Sequence, residues 1–121
     1  TTLHANTPRD VLARLSSMVL LSGIELPIRA IYEMAASAIN IIVQINRFSD
    51  GSRKITAITE LTGQMVDGMP EMKDIFVFKQ KGLNADGVVL GEYSPTGFIP
   101  KAYDDFITRG LPINKAIFSP Q

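Results

Sequence analysis

Thr1-Thr2-Leu3-His4-Ala5-Asn6-Thr7-Pro8-Arg9-Asp10 is the stretch from which the rest of the chain is read. It holds the only histidine among 121 residues. The run up to Ala5 reads as the last residues of a strand. Asn6 and Thr7 then read as a helix N-cap region, with Pro8 at the first helical position, where a missing N–H costs nothing. Asp10 stands three residues after Thr7, a capping-box-like spacing that also sets a carboxylate at the positive helix end. His4 is thereby expected at the carboxyl end of a strand just before a helix. Open α/β sheets carry their ligand sites in that position.

Outward from this stretch, Val11, Leu12, Leu15, Met18 and Val19 recur at three- and four-residue spacing and predict an amphipathic helix from Pro8 to about Ser22. Gly23 follows as its stop. A second helix is expected from Pro27 to Ala38, with Ile28, Ile31, Ala35 and Ile39 on one face. Asn40 to Phe48 is rich in Ile and Val and reads as a strand. Asp50-Gly51 is a hairpin turn signal, and Arg53 to Leu61 is the returning strand. Thr62 to Pro70, with two glycines and a proline, reads as a loop. Met72 to Gln80 reads as a strand apolar on both faces, which implies cover on both. Asn84 to Gly87 makes a turn and Val88 to Tyr93 completes a second hairpin. A short helix from Pro100 to Arg109, with Tyr103, Phe106 and Ile107 inward, precedes a tail that docks through Ile117 and Phe118.

Several of these segments carry a resemblance. Thr2 to Asn6 followed by a capped helix with Arg14 in its second turn resembles the histidine box of the secretion ATPases, the hexameric motors of type II and type IV secretion and of type IV pili. Pro8 to Leu15, Ile24 to Ile31, Ala36 to Gln44, Asp50 to Ile55 and Asp74 to Phe78 are similar to the CpaF-like (Tad/Flp pilus assembly) branch of that family. Where relatives usually carry Arg-Glu-Gln this chain has Tyr32, Glu33 and Met34 and so lacks the Arg, and Gly63 to Met69 departs from their Gly-Met-Glu-Gly-Asp-Val.

The resemblance implies the carboxyl-terminal part of a RecA-like P-loop ATPase domain, α/β, with helices and antiparallel β hairpins. Residues 1–6 would be the histidine box, 7–39 a helical part, 40–93 a β-hairpin part and 94–121 the carboxyl-terminal helix and tail. His4 would then be the catalytic residue that senses the γ-phosphate, with Thr2, Asn6 and Arg14 close to the nucleotide. ATP and Mg²⁺ would belong to an intact parent, and the piece alone would bind neither tightly. Its partners would be neighbouring subunits of a homo-hexamer and the pilus or secretion platform proteins of the inner membrane.

The residues set limits on this. No G-x-x-x-x-G-K-[ST] stretch is present to cradle phosphates, so the chain alone is expected to hydrolyse no ATP. With no cysteine, disulfides and thiolate metal ligands are excluded, and one histidine without clustered carboxylates offers no metal site. Twelve basic residues balance twelve acidic ones, so no net field draws nucleic acid or an anionic membrane. No apolar run is long enough to span a bilayer, so a soluble cytoplasmic place is expected, and the resemblance implies that partners hold it at the inner membrane. Arg47, Arg53 and Lys54 gather at the first hairpin as candidate subunit-interface residues. The same residues fit a second reading, a free-standing protein-protein interaction module without catalysis. Solvated charges blunting a sheet edge would also account for them.

Overall fold

The computed structural model describes residues 1–120. Its elements follow the order α1 (Pro8–Leu21), α2 (Ile28–Ala38), β1 (Ile41–Arg47), β2 (Arg53–Val66), β3 (Met69–Leu83), β4 (Val89–Pro95) and α3 (Ala102–Thr108), with a 3-10 turn at Lys115–Phe118. The four strands form one antiparallel sheet in the order β1-β2-β3-β4. The fold is mixed α/β, and its sheet is a meander of hairpins.

The helix starts obey local chemistry. Thr7 is extended and its Oγ1 accepts the Asp10 amide at 3.2 Å, with Pro8 opening the first turn. α1 then ends at Ser22, one residue before Gly23. α2 has no side-chain cap and starts behind Pro27, whose fixed φ suits a helix entrance.

Both helices serve one face of the sheet. Val11 of α1 packs with Ile42 and Leu61, and Leu3, Ala5, Ile39 and Met72 close around them. Ile31, Ala35 and Ala36 are the buried side chains of α2. Ile28, expected on that inward face, is half exposed.

The opposite face is covered only in part. Ile58 of β2 pairs with Phe76 of β3, and Phe118 from the tail stacks on Phe76 at 5.7 Å between ring centroids. Tyr103 of α3 meets Phe118 edge-on at 4.8 Å. The Lys101 amide donates to Glu60 Oε1 at 3.0 Å, which closes a buried carboxylate on the same side. The tail therefore docks as expected through Phe118, while Ile117 remains exposed.

Four expectations are corrected. Thr1 to Ala5 form no strand. A strand needs a neighbour's main-chain ladder, and what ties this segment to β1 is the Gln44 side-chain amide at Ala5. Thr62 to Pro70 is no loop, because β2 runs to Val66 and β3 starts at Met69. Asp67 and Gly68, both at positive φ, turn the chain between them. A register shift between Leu61 and Met65 takes up Thr62 to Gln64 without ending the hairpin. The last strand starts at Val89 and runs on through Ser94 and Pro95. Finally, α3 has only seven residues and buries none of them; Ile107, expected inward, is exposed, while Phe106 rests on Tyr103 at 5.4 Å between ring centroids and stays partly exposed.

Candidate functional site

The peptide after His4 is held in place from β1. Gln44, a buried polar residue, donates from Nε2 to the Ala5 carbonyl at 2.8 Å. Asn46, two residues on and thus on the same face, donates from Nδ2 to the Asn6 carbonyl at 3.2 Å. Asn46 is itself oriented by the Thr56 hydroxyl, which donates to its Oδ1. The next residue is the Thr7 cap, so the chain from Ala5 to Thr7 is fixed at three successive positions. His4 stands at the mouth of this anchored segment with its side chain exposed.

From there His4 and Asn6 share an open recess of about 320 Å³ with Asp10, Ala13, Arg14 and Ser17. One helical turn from Asp10 brings Arg14 onto the same side of α1. Imidazole, carboxamide and guanidinium thus border one surface, a donor set suited to a phosphate or carboxylate oxygen. Asp10 adds a negative charge to the same recess and opposes an anion there. Thr2 is not part of it. It lies instead on a wider cleft between Thr1–Asn6 and the free side of β1, which His4 and Asn6 also border.

A terminal phosphate could be met by this recess, but nothing in it would cradle a triphosphate, hold a metal or recognise a base. Among the described residues no three His, Cys, Asp or Glu side chains converge as a metal site.

Arg47 and Arg53 stand directly opposite each other across β1 and β2. Lys54 is the next residue and points to the other side of β2, with Nζ 5.9 Å from the centre of the Phe78 ring. The basic residues are therefore not one patch: two arginines share a face and the lysine packs on an aromatic ring. Gln44 and Asn46, which position the His4 segment, were not among the sequence-derived candidates. Their signal was present in polar residues at every second place of an otherwise Ile- and Val-rich strand.

Compared with known proteins, the chain matches no family model and no curated protein. No helix among the described residues is long and apolar enough to cross a membrane.

Proposed function

We propose that this chain is the carboxyl-terminal subdomain of a hexameric CpaF-like ATPase that powers Tad/Flp-type pilus assembly or type II/IV secretion. It carries the nucleotide-sensing histidine box and lacks the P-loop. The observation that supports this most is the convergence of His4, Asn6 and Arg14 on one recess at the start of a capped helix. A further support is the cleft beside β1. Its walls are Thr1–Asn6 and the unpaired side of β1, a gap that a strand from an upstream part of a longer protein would complete.

In this reading ATP and Mg²⁺ are held by upstream residues. His4 donates a hydrogen bond to a phosphate oxygen and passes the presence or absence of that phosphate to α1 through the Thr7 cap. Arg14 adds a positive charge to the same end. The protein works in the cytoplasm, at the inner membrane through platform proteins, and the isolated chain turns over no nucleotide.

Two experiments test this. Coding sequence upstream of Thr1 should encode a glycine-rich Lys-Thr loop followed by an acidic strand end. In that longer protein, His4→Ala should abolish ATP turnover while sparing ATP binding. Wild-type turnover in the variant removes the role given to His4.

A further inference from the structure

The face of the sheet opposite α1 and α2 carries two exposed patches of complementary character. On β1, Ile41, Val43 and Ile45 point to this side at 44%, 50% and 57% exposure. Ile55, the cross-strand partner of Ile45, widens the stripe to β2. It ends at Arg47 and Arg53, two exposed like charges facing each other, an arrangement that is unfavourable without an anion nearby. Among the described residues neither arginine has a salt-bridge partner. The second patch is α3, which offers Asp104 together with exposed Ile107, three residues on and therefore on the same side of the helix. Asp105 is already paired with Arg109, whereas Asp104 has no cationic partner among the described residues.

Both patches lie on one side of the molecule. Glu60, which Lys101 holds just ahead of α3, is the cross-strand partner of Ile41. α3 therefore stands at the Ile41 end of the stripe and the arginine pair at its far end. A two-fold axis near Val43 would lay α3 of one copy on the arginine end of the other, and the reverse, as a self-complementary surface requires.

We propose that this face is where a second copy of the chain docks, face to face, with Asp104 of each copy between Arg47 and Arg53 of its partner. Ile107 covers part of the Val43–Ile45–Ile55 stripe. The contact uses the sheet face, not the His4 recess, and does not rest on the nucleotide reading. It explains why a chain without net charge keeps an unpaired arginine pair and an unpaired aspartate on one side.

Sedimentation velocity on the whole chain tests it. At low salt and about 100 μM, a dimer is expected that added salt weakens. Ile45→Asp and, separately, Asp104→Arg should each weaken association about tenfold or more, with circular dichroism unchanged because both side chains are exposed. Mixing Asp104→Arg with the Arg47→Glu/Arg53→Glu variant should restore a mixed dimer, which neither forms alone. A monomeric wild type under these conditions overturns the proposal. So does a dimer that tolerates Ile45→Asp and both charge reversals.

Discussion

Both carboxylate oxygens of Asp50 take donors from separate parts of the sheet. Oδ1 accepts the Ser52 amide at 2.8 Å and the Ser52 hydroxyl at 2.5 Å, while Oδ2 accepts the Val89 amide at 2.8 Å. One side chain thus ties the β1–β2 turn to the first residue of β4. The Ser52 hydroxyl, then the main-chain amides of Val89 and Ser52, favour the ionised form and lower its pKa from 3.8 to about 2. A carboxylate depressed in the folded state contributes stability that is complete above the unfolded value and is lost as pH falls through the folded one. The contribution should be intact at neutral pH and fade between about pH 4 and pH 2. Asp50→Asn should remove this pH dependence, and urea unfolding midpoints across that range measure it. An unchanged slope would mean that the turn holds without its charge. Asp50-Gly51 is readable in sequence as a turn, but the bond to Val89, thirty-nine residues on, is not.

Elements show most directly what sequence could tell. α1 was legible because its cap, its apolar spacing and its glycine stop agree. Thr7→Ala should remove the one side-chain cap and lower stability by about 1 kcal/mol, read from thermal or denaturant unfolding. The β2–β3 hairpin was missed although Asp67-Gly68 is the same turn dipeptide as Asp50-Gly51. Gly63 and Pro70 nearby outweighed it as loop residues. In the fold, Gly63 sits where the register slips and Pro70 is a buried strand residue opposite Met65. Thr1 to Ala5 failed for another reason. Strand propensity is local, but a strand exists only with a paired neighbour, and the neighbour here reaches it by the Gln44 side chain at Ala5. β3 and β4 hold a constraint that no pattern announces. A Cβ on Gly91 would collide with the Phe78 ring and the Lys79 carbonyl. Gly91→Ala should cost about 1–3 kcal/mol in unfolding free energy, since the carbonyl is fixed in the ladder. A neutral substitution would show that β4 shifts freely at its start.

At the scale of the whole molecule both sheet edges, β1 and β4, lack a main-chain partner on their outer side among the described residues, and β1 also bears apolar side chains on its outer face. Proteins that keep such an edge exposed usually blunt it with lysine, proline or a strong bulge. β1 has only Arg47 at its end and a single irregularity between Gln44 and Ile45. The cleft between that edge and Thr1–Asn6 is bordered by Leu3, Ile39 and Val43 as well as by Thr1, Thr2, His4 and Gln44, a mixed lining that an extended segment with both main-chain groups and apolar side chains would match. If the chain is one part of a longer protein, extending it upstream of Thr1 should fill the cleft and pair β1. Amide exchange at Ile41, Val43 and Ile45 should then slow, and Thr2 to His4 should gain protection as they become a true strand. The thermal midpoint should rise, because the added strand buries apolar side chains that are now half exposed. Unchanged exchange along β1 in the longer protein would mean that this edge is meant to stay open, and the interaction-module reading would gain at the expense of the motor. Docking of a second copy on the outer face leaves the edge itself free, so the exchange pattern separates the two contacts.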